Sequence, residues 1–96
     1  MIGGKVMLIG RGDRHRNHRP HIDLSAIDIN NTVSRTHAEI YPATGGFLIE
    51  DKGSLNGTKL NGKILRPNDP QRLEPLDQCC FGDLVFRFVD GKLKQI

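Results

Sequence analysis

Side chains able to hold a phosphate group and an extended peptide recur at three places in this 96-residue chain. Gly10-Arg11 follows an apolar run, residues 34–37 read Ser-Arg-x-His in pattern, and residues 54–57 read Ser-x-Asn-Gly. An arginine guanidinium donates two parallel hydrogen bonds to a phosphate, and a serine hydroxyl adds another. An asparagine side chain offers a peptide backbone both a donor and an acceptor. Each motif alone is weak evidence, because Gly-Arg pairs and Ser-x-Asn-Gly turns are common.

The elements that must position these motifs are predicted to be short strands. Eleven glycines and five prolines punctuate the chain, which favours strands joined by turns over helices. Apolar residues 6–9 predict one strand and the alternation over 37–41 predicts another. Residues 22–29 also alternate, with one change of phase, so we expect strand with a bulge there.

Turn signals support the same all-β interpretation. Gly45-Gly46, Asn61-Gly62 and Asp90-Gly91 each predict a hairpin. Many short strands with regular turns indicate a β-sandwich or a barrel, and 96 residues suffice for one domain spanning 1–96. In the last long strand, one face is predicted to carry Leu84, Phe86 and Phe88.

The order of the three motifs resembles the forkhead-associated (FHA) family, from about Ile9 to Phe88. Asp51 and the stretch 73–82 match as well, although Leu76 stands where the family has glycine. The resemblance implies an all-β, two-sheet sandwich of short, mostly antiparallel strands with the binding loops at one end. It implies a module that binds phosphothreonine-containing proteins or peptides in Ser/Thr-kinase signalling, not an enzyme, and it implies no cofactor.

The resemblance also assigns roles by position. Arg11 and Ser34 would contact the phosphate, with Arg35 adding positive charge beside them. Asn56 would hydrogen-bond the peptide backbone next to the phosphothreonine. Leu55 stands where the family often has threonine, so one side-chain hydrogen bond to the peptide would be missing. The loops would be braced by Gly10, His37, Ser54 and Gly57.

A basic segment follows the first motif. Residues 11–21 contain four arginines and one aspartate, whereas ten basic and ten acidic residues balance in the rest of the chain. We expect this segment to lie near the peptide and to favour acidic or multiply phosphorylated ligands. Thr32 occupies a position that often influences ligand choice in the family. The specificity candidates are therefore Thr32, Arg14, Arg16 and Arg19.

Three alternative functions are set against this interpretation. Nucleic-acid binding through residues 11–21 is disfavoured because the segment lacks stacking Phe, Tyr or Trp. An enzyme is disfavoured because Ser34 and His37, three apart at a strand start, would diverge. An FHA fold that binds its partner without phosphate is the third possibility. No metal site is expected, because His15, His18 and His21 lack suitable flanking ligands.

Location and assembly are further expectations. No apolar run approaches the roughly 20 residues of a membrane span, so a cytoplasmic protein is predicted. Adjacent Cys79 and Cys80 predict one buried and one outward thiol in a reducing compartment. Family members normally have one or two strands before the one ending in Gly-Arg, and only eight residues precede Ile9 here. We therefore expect part of a longer protein, or a homo-oligomer that covers an exposed sheet edge.

Overall fold

Two five-stranded β-sheets form a sandwich in the computed structural model, which describes residues 5–96. The first sheet has the order β2-β1-β3-β4-β7 and the second the order β10-β9-β8-β5-β6. All strand pairs are antiparallel except β1 with β2. The strands are β1 Met7–Gly10, β2 Ile22–Asp23, β3 Ala38–Ala43, β4 Gly46–Asp51, β5 Thr58–Leu60, β6 Lys63–Ile64, β7 Gln71–Leu73, β8 Gln78–Phe81, β9 Leu84–Val89 and β10 Lys92–Gln95.

The core lies between the sheets and is supplied by the inward positions of both. Phe86 and Phe88 on β9 are buried while Arg87 between them is exposed, as the predicted face requires. Cys79 is buried and Cys80 is half-buried, which confirms the predicted pair of free thiols. Burial raises the pKa of the Cys79 thiol to about 12, so this group remains protonated and serves as an apolar core side chain.

The three predicted hairpins are confirmed. Asn61 and Gly62 have φ of 50° and 84° between β5 and β6, and Asp90 and Gly91 have 52° and 74° between β9 and β10. Positive φ at both central residues is typical of type I′ turns, whose twist matches that of the strands. The β3–β4 hairpin turns one residue earlier than the glycine pair, with Gly45 at φ 76°.

The strand prediction for residues 22–29 was wrong beyond its first two residues. Only Ile22–Asp23 forms a strand, after which Leu24 O accepts from Ile27 N at 3.1 Å and from Asp28 N at 3.0 Å. Leu24 is buried and Ile27 packs against the core, whereas Ile29 is exposed. Apolar residues three apart face the same side of a tight turn, so the turn produced the change of phase that resembled a bulge.

Leu76 occupies a left-handed backbone conformation that suits the glycine found there in the family. Its φ is 73°, and its side chain is 63% exposed, so it contributes little to the core. We expect Leu76→Gly to raise the free energy of unfolding by up to about 1 kcal/mol, because relief of the backbone strain exceeds the added entropy of the unfolded chain. Urea unfolding measures this change.

Leu76→Ala is the matched control for that substitution. It removes the same exposed side chain but keeps the Cβ that disfavours positive φ. A Leu76→Gly variant no more stable than Leu76→Ala would contradict the strain at this position.

The outer edge of β10 pairs with no strand within residues 5–96. Exposed Lys92 and Lys94 lie on this edge strand, and lysine on an edge strand discourages edge-to-edge pairing. The first edge strand was predicted to be absent because only eight residues precede Ile9; of these, residues 1–4 lie outside the described residues, and β1 begins at Met7. Coverage of an exposed sheet edge by another copy stays a prediction. No helix within residues 5–96 has the length and apolar character to cross a membrane.

Candidate functional site

The three motifs leave neighbouring strands at the same end of the sandwich. β1 ends beside the start of β3, where Ile9 pairs with Ala38, and Ala38 in turn pairs with Asp51 at the end of β4. In the other sheet, β5 begins at Thr58, opposite the end of β8. The loops that carry the motifs therefore meet, and their contacts join them into one surface.

Gly10 allows the first motif to approach the second closely. A Cβ built at Gly10 would lie 1.8 Å from the carbonyl oxygen of Arg35, so no side chain fits there. This approach lets Arg11 N donate to Ser34 O at 3.1 Å, while His37 N donates to Ile9 O at 3.0 Å. The sheet register and the glycine together place Arg11 against Ser34.

The side chain of Arg11 is anchored at one end and available at the other. Its Nε donates to Val33 O at 3.1 Å in a half-buried position. Neither Nη atom donates a hydrogen bond to the residues that the structure describes. The terminal fork of the guanidinium can therefore form two hydrogen bonds to an anion.

Ser34 is held from two directions. Its Oγ accepts from Leu55 N at 2.9 Å, which links the second motif to the third, and its backbone N donates to His37 Nδ1 at 3.0 Å. Since the hydroxyl accepts this bond, its proton remains able to donate to a ligand.

The buried side chain of His37 links the loop that contains Ser34 to the loop that contains Gly57. It is fully buried, its Nδ1 accepts from Ser34 N, and its Nε2 therefore carries the proton and donates to Gly57 O at 2.8 Å. Its ring packs edge-on against Phe81, with centroids 5.8 Å apart. Burial lowers the pKa of His37, although the hydrogen bond to Gly57 opposes this shift.

The depressed pKa of His37 predicts a loss of stability in mild acid. At pH values below 6.5, the ordinary histidine pKa, the His37 ring is still neutral in the native state but protonated in the unfolded chain. Its contribution to the free energy of unfolding should thus be complete above pH 6.5 and decline as the pH falls from 6.5 through the native pKa. An NMR titration of the His37 ring checks this directly. A pKa at or above the ordinary value would contradict the proposed tautomer and its two hydrogen bonds.

The third loop is organised by the buried carboxylate of Asp51. Its Oδ1 accepts from Ser54 Oγ at 2.6 Å and Thr58 Oγ1 at 2.7 Å, and its Oδ2 accepts from the backbone N of Gly53 and Ser54. Burial opposes ionisation, yet the hydrogen bonds outweigh it and hold the pKa of Asp51 below its usual value. Ser54 Oγ also accepts from Gly57 N at 3.0 Å.

Leu55 and Asn56 stand at the tip of this loop. Asn56 Nδ2 donates to Thr32 O at 3.0 Å, which orients the amide while its Oδ1 makes no hydrogen bond to residues 5–96. The Leu55 side chain is 88% exposed and can offer a ligand only apolar contact. Gly57, with φ of 88°, supplies the left-handed conformation that turns the chain into β5.

Two aspartates that were not recognised from the sequence fix Thr32. Asp28, which is buried, accepts from the backbone N of Thr32 at 2.8 Å and of Val33 at 3.0 Å. The Thr32 hydroxyl donates to Asp83 Oδ1 at 2.9 Å and accepts from Asp83 N at 3.0 Å. Its hydroxyl is thus engaged within the protein. Only the position of Asp28 before Asn30-Asn31 hinted at such a turn.

The remaining predicted residues lie on the flank of the site. Arg35 Nε donates to Asp13 Oδ2 at 3.2 Å, so this guanidinium is held towards the basic segment. The side chains of Arg14, Arg16 and Arg19 are exposed there. Asp13, noted in the sequence only for its charge, positions Arg35.

Comparisons with known proteins agree with this architecture. The family model described as "FHA domain" matches residues 7–82. The oxoglutarate dehydrogenase inhibitor of Corynebacterium diphtheriae is 33% identical over 88 residues, which cover 92% of this chain and 58% of that protein. The chain thus spans less than two thirds of the length of this curated relative.

Solved structures agree as well. The FHA domain of the CT664 protein from Chlamydia trachomatis superposes with a TM-score of 0.74 at 28% identity, covering 94% of this chain and 80% of that one. The N-terminal FHA domain of Rad53p from S. cerevisiae was solved in complex with a phosphothreonine peptide. It superposes with a TM-score of 0.65 at 30% identity, covering 81% of this chain and 56% of that one. The match over residues 7–82, the two-sheet fold and the three joined loops establish that this chain belongs to the FHA-domain family and is a non-catalytic binding module.

Proposed function

We propose that this domain binds phosphothreonine peptides at the end of the sandwich where the three motifs meet. Arg11 and Ser34 hold the phosphate, and Asn56 holds the peptide backbone. The observation that carries the proposal is the joining of Arg11 to the Ser34 segment. Arg11 N donates to Ser34 O, and the Arg11 side chain is anchored through Nε with both Nη atoms available.

Charge and geometry support this assignment. A phosphothreonine carries nearly two negative charges and three acceptor oxygens at neutral pH. The Arg11 fork supplies two donors, the Ser34 hydroxyl supplies another, and Arg35 adds positive charge on the next residue. Because Ser34 is already fixed by Leu55 N and His37, little side-chain freedom is lost when the phosphate binds.

The peptide backbone would be held from the other side of the site. Asn56 is oriented by its bond to Thr32 O, and its Oδ1 can accept from a peptide N–H. Leu55 has no hydroxyl to offer, so Asn56 carries the polar contacts of this loop. An extended peptide lying across the loop tips would be read mainly through its phosphate and backbone.

The same proposal describes the partner and the compartment. The ligand is a protein phosphorylated on threonine by a Ser/Thr kinase, as the complex of the Rad53p domain with a phosphothreonine peptide suggests by analogy. Intracellular location is part of the proposal and is consistent with the free thiols of Cys79 and Cys80.

Titration of a degenerate phosphothreonine peptide library tests the proposal. Matched libraries with unphosphorylated threonine and with phosphoserine are the controls. We expect micromolar binding that requires the phosphate and prefers threonine, with Ser34→Ala weakening it. Equal binding of the unphosphorylated library would instead identify a scaffold that recognises unmodified partners. No binding of any phosphothreonine peptide would contradict the proposed function.

A further inference from the structure

A short basic turn lies against the loop that carries Ser34. Within residues 13–18, Asp13 and His18 exchange backbone hydrogen bonds of 3.0 and 2.9 Å. Between them runs the 3-10 turn Arg14–Arg16, which begins where Asp13 Oδ1 accepts from His15 N at 3.1 Å. It ends at Asn17, whose φ of 53° reverses the chain. The turn therefore displays its basic side chains from a backbone fixed by specific hydrogen bonds.

This basic turn is fastened to the residue that follows Ser34. His18 Nε2 donates to Arg35 O at 2.7 Å, and Arg35 Nε donates to Asp13 Oδ2 at 3.2 Å. The two contacts hold both the backbone and the side chain of Arg35. The proposed phosphate site and the basic turn are therefore parts of one hydrogen-bonded surface.

Positive charge on this surface exceeds what its carboxylates neutralise. Asp13 is shared, since Arg16 Nε lies 3.4 Å and Arg35 Nε 3.2 Å from the same Oδ2. The other carboxylate, Asp23, accepts a hydrogen bond from the backbone N of Gly12, which lies 2.9 Å from Oδ1. Against these two carboxylates the surface carries five arginines, Arg11, Arg14, Arg16, Arg19 and Arg35.

Two of these arginines border a cavity beside the turn. The cavity measures about 440 Å³, and its lining includes Arg14, His18 and Arg19 together with the acidic residues Asp13 and Asp23. Within residues 5–96, neither Arg14 nor Arg19 makes an ion pair or a side-chain hydrogen bond, and both are exposed. Arg14 and Arg19 thus border an open cavity next to the proposed phosphate site, and neither forms an ion pair with a carboxylate of the described residues.

We propose that this cavity is a second anion subsite, which takes a phosphoryl group or a carboxylate from a residue near the phosphothreonine of the same peptide. Arg14 and Arg19 bind the second anion, and Asp13 is a positioning residue that holds Arg16 and Arg35 at its border. The inference rests on the proposed function, because the first phosphate brings the peptide to this surface. The preferred ligand is therefore an acidic or doubly phosphorylated peptide.

A peptide fits this surface better than a nucleic acid. Residues 11–25 contain no Phe, Tyr or Trp on which bases could stack. Asp13 and Asp23 also line the cavity, but Asp13 is paired with Arg16 and Arg35, and Asp23 accepts from the backbone N of Gly12.

Isothermal titration with defined peptides tests the second subsite. One phosphothreonine peptide is compared with versions that carry phosphoserine, glutamate or alanine at single positions up to four residues away on either side. We expect phosphoserine at one or more of these positions to strengthen binding about tenfold over alanine, as a new charge-assisted contact would, with glutamate intermediate. The ratio should shrink as salt is added.

Paired variants separate a local effect from net charge. In the wild type, the affinity for the doubly phosphorylated peptide is divided by the affinity for the singly phosphorylated one. Combining Arg14→Gln with Arg19→Gln should lower this affinity ratio to about one. Lys92→Gln combined with Lys94→Gln removes the same charge from the edge strand β10 and should keep the wild-type ratio. Amide NMR shifts in residues 13–19 should respond to the second phosphate in the wild type and in the Lys92/Lys94 variant, but not in the Arg14/Arg19 variant.

The outcomes distinguish the two proposals. If the phosphothreonine peptide binds but no second anion improves affinity, the subsite is overturned and the proposed function stands. An equal fall of the ratio in both paired variants also overturns it, since that result reflects net charge alone. Displacement of the peptide by a single-stranded oligonucleotide would overturn it in favour of nucleic acid. If no phosphothreonine peptide binds, the proposed function itself fails.

Discussion

Replacing Arg11 with glutamine is expected to weaken phosphothreonine-peptide binding by about a hundredfold or more, close to 3 kcal/mol, because two charge-assisted hydrogen bonds to a dianion are lost. Glutamine retains part of the aliphatic stem and an amide that can donate to Val33 O, which now receives Arg11 Nε at 3.1 Å. The fold should therefore remain, with a change in unfolding free energy below about 1 kcal/mol. Calorimetric titration and urea unfolding measure the two effects separately.

Lys94→Gln is the control for Arg11→Gln. Lys94 is exposed on β10, in the other sheet, and the substitution removes one positive charge without touching the three loops. It should change affinity by less than about twofold at physiological salt, where charges beyond the Debye length are screened. An Arg11→Gln protein that is folded and binds as well as the wild type would falsify the assignment of the phosphate to Arg11.

Replacing Asp51 with alanine is expected to lower the free energy of unfolding by about 3–5 kcal/mol, because four hydrogen-bond donors, one of them the buried Thr58 hydroxyl, lose a charged acceptor. The hydroxyls of Ser54 and Thr58 and the backbone N–H groups of Gly53 and Ser54 would be left without it. Since Ser54 also receives Gly57 N, the loop that presents Asn56 should loosen too. Urea unfolding and peptide titration of the same protein report both consequences.

Thr58→Val is the matched control for Asp51→Ala. It removes one of the four donors while preserving the buried shape, so it should cost only about 1 kcal/mol.

The depressed pKa of Asp51 adds a pH test. The stabilisation by the carboxylate should be complete above its ordinary pKa of 3.8 and should disappear as the pH falls through the lower native value. Equal free energies of unfolding for Asp51→Ala and Thr58→Val at pH 7 would contradict the role of Asp51 as the shared acceptor of four hydrogen bonds.

Much of the fold was predictable because its signals are local. Asn61-Gly62 and Asp90-Gly91 accept positive φ wherever they occur, so two hairpins could be located from four residues. The face shared by Phe86 and Phe88 followed from the period of a strand. The same reasoning failed over residues 24–29, because a tight turn also buries apolar residues at short spacing and only the hydrogen bonds of Leu24 O distinguish the two.

The residue types of the proposed phosphate site could also be read from the sequence, but the contacts that join its three motifs could not. Arg11, Ser34 and Asn56 could be selected by residue type and by resemblance to a family. The contact of Arg11 with Ser34 depends on Gly10 approaching Arg35 O and on the pairing of Ile9 with Ala38. These are contacts between residues far apart in the chain, so no local pattern encodes them.

The sequence by itself determined the residue types of the site, the turns and the excess of positive charge in residues 11–21. Only the tertiary structure decided which groups remain available to a ligand. It engages the hydroxyl of Thr32 with Asp83 and turns Arg35 towards Asp13, while the Nη atoms of Arg11 stay available. The physical reason is that a polar side chain binds whichever partner the fold brings within hydrogen-bond distance, and strand pairing across the whole sheet sets those distances.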